Sequence, residues 1–340
     1  MNKVENIDGV VNNEAHGAGV HSSFVTNSVV AGNAGVPTPR IGQPYGGGGY
    51  DSEFYGGEIR ENFAAVGGAM YKGRAAHTSF RDNATISGTV IFRNTTGFTD
   101  CDIKGAILDW PGYLVNSRVH DYRTEGYATI PEGANAFTSG VFNCMNVKSD
   151  SPNLLYSTSN AGSSGMAATN TIFYNNNAAS LFWPAGIPAT FINCQFVSNK
   201  VSKTCIGVSG ATSVEYVNTI FSDNMSFNGS ESYEYWPNSS SDTNAVMRNC
   251  VLGTGSRRYL PNLVENTRYD VRIRFKADEK WPCMPSKHNK MLRGNGLVQD
   301  WMSSVGDVRG AEYPRLRDGK VDIGAYQNWD PIPGMTIDFR

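Results

Sequence analysis

The side chains best suited to chemistry in this 340-residue chain are charged ones that recur at regular intervals. They are Glu58, Arg60 and Glu61, then Arg81 and Asp82, then Asp102 and Lys104, then Arg118, His120 and Asp121, followed by Tyr122 and Arg123. Two reactions fit this set. Proton abstraction beside a uronic carboxylate needs a base, a role open to Lys104 or His120, and a cation such as Arg81, Arg118 or Arg123 to neutralise the substrate. Inverting glycoside hydrolysis needs two carboxyls about 6.5–9.5 Å apart, near the distance between Glu58 and Asp102 if two strand steps of ~4.8 Å separate them. The unreactive alternative is a solvated sheet of ion pairs, each worth under about 1 kcal/mol. Sugar binding without catalysis lies between the two, with Glu58, Asp102, Asp121, Tyr122 and Arg123 as contacts. A second contact candidate is Tyr235 and Trp236, beside Tyr233 in a Ser/Asn-rich excursion, where exposed rings would stack on sugar faces.

Other reactive patterns are absent. His16, His21, His77 and His288 lack metal-ligand spacing with acids, and no calcium-loop pattern occurs. The run Gly46-Gly47-Gly48-Gly49 is not followed by the Lys-Ser/Thr of a phosphate loop. No cofactor or metal is expected. Lys and Arg number 29 against 31 Asp and Glu, a formal net charge of -2, which gives no footprint for nucleic acid. No apolar run is long enough to span a bilayer, and residues 1–20 do not read as a signal peptide.

The charged residues are spaced by an internal repeat. Its clearest copies are Phe191-Ile192-Asn193-Cys194-Gln195-Phe196-Val197-Ser198-Asn199 and Tyr216-Val217-Asn218-Thr219-Ile220-Phe221-Ser222-Asp223-Asn224. With the first Asn as zero point, further copies centre on Asn27, Gly56, His77, Asp100, Asn116, Asn143, Asn170 and Asn249. Apolar residues stand at -2 and +3 (Asn146 excepted) and small ones at +1, so the inward set alternates on either side of one skipped residue. A strand that skips a residue must bend, and Asn tolerates the left-handed conformation such a corner needs. Short strands repeating every two dozen residues or so around filled inward columns describe an all-β fold, a right-handed parallel β-helix. Coils are expected over 1–255 and a nonrepetitive C-terminal cap over 256–340, with Tyr269–Phe275 as an edge strand.

Four of the six cysteines, Cys101, Cys144, Cys194 and Cys250, share the +1 column with Ser or Thr between them. At two strand steps apart, ~9.6 Å, they are too distant for a disulfide and should pack as free thiols. Cys205 and Cys283 fall off the column, and their pairing stays open. At outward positions +2 and +4 the later copies carry Met145, Val147, Ile172, Tyr174, Val197, Ile220 and Val251, a strip too apolar to face water. Residues 256–340 folding back is the favoured cover, and a second subunit through this apolar face is the competitor.

The chain's end, Asp307-Val308-Arg309-Gly310 through Arg315 to Gly319-Lys320-Val321-Asp322-Ile323-Gly324-Ala325-Tyr326-Gln327, resembles the close of the bacterial choice-of-anchor Q domain proteins. The coils, including Gly67-Gly68-Ala69-Met70-Tyr71, are similar too. This resemblance implies an exported or cell-surface protein, extracellular in location, and supplies no catalytic residues. The resulting expectation is a noncatalytic protein that binds polysaccharide or cell-surface glycan, or has an extracellular structural role. A polysaccharide lyase or glycoside hydrolase is the alternative, and a phage tailspike-like protein a further one.

Overall fold

The computed structural model describes residues 19–35, 44–85, 92–93, 97–104, 108–109, 114–120, 137–143, 153–157, 166–175, 177–178, 180–184, 188–201, 213–228, 231–233, 245–254, 263–277 and 281–327. Regular structure among them is nearly all strand, with short 3₁₀ turns at Lys290–Leu292 and Asp300–Ser304. The main sheet is parallel. Strand Phe24–Ala31 pairs with Gly49–Arg60, which pairs with Met70–Ala76 and Ser79–Arg81, and the ladder continues through Asp102–Lys104 to Leu114–His120. Further along, Thr171–Tyr174, Gln195–Val197, Ile220–Ser222 and Val251–Leu252 pair in sequence. Each step advances by about one repeat, so equivalent positions become neighbours, with one correction: Gly140 pairs with Ser117 and Thr171, and Phe142 with Val119 and Phe173, so that copy centres on Ser139 and not on Asn143.

The zero-point residues are left-handed corners. Asn27, His77, Asp100, Asn170, Asn193, Asn218 and Asn249 have φ between 44° and 54°, and Gly56 has φ 73°. A second corner that the sequence does not announce falls five residues later, at Gly32, Glu61, Asp82, Asn175, Ser198 and Asp223. The Asn that follows it points inward and is buried at Asn33, Asn62, Asn83, Asn199 and Asn224. Here the amides form ladders: Asn33 Nδ2 donates to Asn62 Oδ1 (2.8 Å), Asn62 Nδ2 to Asn83 Oδ1 (3.0 Å) and Asn199 Nδ2 to Asn224 Oδ1 (3.0 Å). The second amide hydrogen goes to a carbonyl, as Asn62 Nδ2 to Val30 O and Asn224 Nδ2 to Phe196 O. Buried amides satisfied this completely stabilise the stack and fix its register.

Between the corners the apolar columns interlock. Phe173, Phe196 and Phe221 stand above one another with centroids 4.9 Å apart at each step, matching the strand spacing. Phe191 stacks on Tyr216 at 5.2 Å and meets Phe196 edge-on at 5.5 Å. One more turn follows the expected end at Gly255: Leu263–Glu265 pairs with Ala245–Arg248, Asn266 is a corner with φ 46°, and Cys250 N donates to Thr267 Oγ1. Its spacing, 17 residues from Asn249 to Asn266, is far shorter than the 31 from Asn218 to Asn249, which hid it in the sequence.

The C-terminal segment lies over the apolar strip. Ile172, Tyr174 and Val197 form one cluster with Met284, Val308, Ala325 and Tyr326; Ile220 and Val251 form another with Ile273, Leu292 and Ile323. Val271 and Phe275 pack against the second cluster, so the alternating Tyr269–Phe275 segment faces the sheet rather than extending its edge. Polar groups dock the segment as well. Asn218 accepts from Leu297 N at Oδ1 and donates to Leu297 O, its carbonyl accepts from Gly324 N, and Gln195 Oε1 accepts from Ala325 N.

The Val321–Gln327 run is thereby explained as a lock. Arg315, fully buried, donates through Nη2 to Asp322 O and Gly324 O, both at 2.6 Å. Gly324 has φ 102°, and a β-carbon there would stand 2.5 Å from Ile220 Cδ1. Gly324→Ala therefore combines left-handed strain with a clash, and is expected to cost about 1–3 kcal/mol in chemical denaturation.

Candidate functional site

The strand register assembles the charged positions into two columns on one face. Glu58 pairs with Ser79, Ser79 with Asp102, and Asp102 with Arg118; one column over, Arg60 pairs with Arg81 and Lys104 with His120. Alternation along each strand turns both columns away from Ile59, Phe80 and Ile103, which are buried. The face thus exists because these inward residues fill the core at odd steps and leave the even ones to solvent.

Within it, Glu58 is the hub. Its carboxylate accepts from Arg60 Nε at 3.1 Å and from Arg81 Nε in the next turn, while Arg60 Nη1 also reaches Glu61 at 2.7 Å. Asp102 and Lys104 are exposed. The backbone places Arg118 and His120 beside Asp102 and Lys104 respectively. Asp121, Tyr122, Arg123, Tyr235 and Trp236 lie outside the described residues. Glu58, Arg81, Asp102 and Lys104 are therefore brought together, but Glu58 already carries two guanidinium partners. Its oxygens are thus taken up by Arg60 and Arg81 rather than left open towards a substrate.

The sequence reading missed a second row, separated from this face by the corners at Asp51 and Gly56. His21, Tyr50 and Tyr71 pair in register, and their rings stack at 5.1 Å and 5.3 Å with interplanar angles of 7° and 10°. Lys72 Nζ lies 5.6 Å from the Tyr50 centroid, and Tyr45 meets Tyr71 edge-on. The signal was present: all three rings stand six positions before a zero point. Two residues before the corner, Phe54 and Ala75 are buried and Val25 half-buried, while Phe24 and Tyr55 beside them are 69% and 50% exposed.

The thiols among the described residues are not candidates for nucleophiles; Cys144 and Cys205 lie outside them. Cys101, Cys194, Cys250 and Cys283 are free. Burial, above all else, pushes each thiol up from 9.0 to about 12. Cys194 Sγ donates to Ala168 O at 3.3 Å, and Cys250 Sγ to Tyr216 O at 3.4 Å. Cys101, Cys194 and Cys250 should resist Ellman's reagent at pH 8 in the native protein and react once unfolded. Because the folded pKa lies above the free one, the neutral thiols stabilise the fold below pH 9.0, and that contribution is lost as pH rises towards about 12. Denaturation midpoints measured across that window should fall.

Among the described residues no three His, Cys, Asp or Glu side chains gather as a metal site, and no helix is long and apolar enough to cross a membrane. No family model, curated protein or solved structure matches the chain.

Proposed function

We propose that this chain is a right-handed parallel β-helix, exported or cell-surface in the manner of the choice-of-anchor Q proteins it resembles. In this reading it holds a linear polysaccharide, uncleaved, along the face of Glu58, Arg60, Arg81, Asp102 and Lys104. One observation carries the reading. The same outward positions are covered by the C-terminal segment at Ile172, Tyr174, Val197, Ile220 and Val251, yet are half-buried or exposed at Glu58, Arg60, Arg81, Asp102 and Lys104. Planar charged groups fixed at the strand spacing offer paired donors and acceptors to sugar hydroxyls and carboxylates. The ion pairs that occupy Glu58 favour binding over hydrolysis through that carboxylate, and the lyase alternative through Lys104 or His120 is separated by the test below.

The test is an array of acidic and neutral polysaccharides, read both for retention and for new unsaturated or reducing ends. Retention without new ends is expected, and Arg81→Ala with Lys104→Ala should weaken it about tenfold, the scale of one or two hydrogen-bonded contacts. No retention anywhere on the array would overturn the reading. Cleavage that disappears in Lys104→Ala or His120→Ala would replace it with a lyase.

A further inference from the structure

The charge of the chain is unevenly divided. Across residues 268–293 the sequence has eight Lys and Arg against three Asp and Glu, a balance of +5 in a chain whose total is -2, leaving -7 for everything else. Five of these cations, Arg268, Arg272, Arg274, Lys287 and Lys290, are exposed. Val271, Ile273 and Phe275 face Ile220 and Val251, so the intervening Arg272 and Arg274 point the opposite way, and both are exposed. The next segment is laid alongside: Phe275 bridges Pro285 antiparallel, Ser286 N donates to Arg274 O, and the Asn289 amide clasps both the N–H and the carbonyl of Arg274. That puts exposed Lys287 and Lys290 next to the Arg272–Arg274 row, with exposed Arg268 just before it. Asp270 is the one acid among the described residues of this stretch.

We propose that this surface docks a linear acidic polysaccharide, and that it does so independently of the Glu58–Lys104 face. Arg272 and Arg274 are two residues apart on one edge of an extended segment, about 6.6–6.8 Å along the chain, and present their guanidinium groups as a row rather than a single point. Among its described residues the surface offers no exposed Tyr, Trp or Phe on which a base could stack. The flat row of guanidinium and ammonium groups meets anions by charge and by paired hydrogen bonds, and its attraction is screened by salt.

The experiment compares the full-length protein on polygalacturonate, neutral dextran, duplex DNA and phosphatidylglycerol vesicles. Wild type should bind polygalacturonate at low salt, release at high salt, and ignore dextran through this surface. The triple variant Arg272→Glu, Arg274→Glu and Lys290→Glu should bind polygalacturonate about 100-fold more weakly, while Arg81→Glu with Lys104→Glu keeps tail-dependent binding. Should the triple reversal fail to fold by circular dichroism, Arg272→Gln with Arg274→Gln gives the same ordering with a smaller loss. No polygalacturonate binding by wild type, equal binding by the tail variants, or tighter binding to DNA or vesicles than to polygalacturonate would each overturn the proposal. Loss in the Arg81/Lys104 variant alone would point instead to the other face.

Discussion

Arg315→Ala should release the C-terminal segment from the sheet. The side chain is fully buried, burial lowers its pKa from 12.5 to about 10, and it remains charged at neutral pH. Asp307 and Asp322 offset part of that desolvation, and Nη2 satisfies two carbonyls of the lock. Truncation leaves Asp322 O and Gly324 O without their donor, opens a cavity beneath Val321–Gln327 and strips the nearby carboxylates of a cation. Each effect has the same sign, and together they should cost about 3–5 kcal/mol. Arg315→Met fills the cavity and removes a costly buried charge, so it should lose distinctly less. Limited trypsin digestion gives the readout: cleavage within 287–320 should accelerate strongly in Arg315→Ala and moderately in Arg315→Met. Equal digestion of wild type and Arg315→Ala would show that the guanidinium does not hold the segment.

Phe196→Ala should be similarly damaging for a different reason. Phe196 is fully buried between Phe173 and Phe221, with Phe191 and Tyr216 against its edges. Removing a ring from a stack whose neighbours are tied to their own strands leaves a cavity that cannot collapse, at about 3–5 kcal/mol. Phe24→Ala, which removes an equally large but exposed ring, should change stability by less than about 0.5 kcal/mol. Denaturant titration of the two variants separates the packed column from a merely apolar surface; equal losses would contradict the column.

The columns were legible because core filling imposes residue size. Phe173, Phe196 and Phe221 share a position in the repeat, and the left-handed corners at Asn193 and Asn218 are written in a residue type suited to them. The second corner escaped notice because Glu61, Asp82 and Ser198 adopt it with no shared chemistry beyond polarity. The asparagines of the first corner invite an amide ladder of their own. Asn218 Nδ2 does reach Asn193 Oδ1 at 2.9 Å, but the longer buried ladders belong to the Asn after the second corner. At the first corner Asn170 and Asn218 are buried beneath the C-terminal segment and donate to it, at Gly306 O and Leu297 O, whereas the inward amides after the second corner meet one another and the strand carbonyls.

The apolar strip under the C-terminal segment was readable for a similar reason, since Ile172, Val197 and Ile220 at outward positions demand a cover. What covers them in detail was not. Gln195 sits buried in that strip because Ala325 N donates to it and it donates to Cys283 O, a pairing across a long separation in sequence. At the charged face, sequence placed Glu58 and Asp102 as a candidate acid pair. Only the register shows that Arg60, two residues on, and Arg81, one turn on, converge on Glu58.

Hydrogen exchange of the intact protein, with and without the polysaccharide best retained on the array, probes the heart of this account. New protection should appear in peptides spanning Glu58–Glu61, Ser79–Asp82 and Asp102–Lys104, with Ile172–Tyr174 and Gln195–Val197 already protected and unchanged, and the polysaccharide recovered at its original length. Protection confined to other strands, or a shortened polysaccharide, would contradict it.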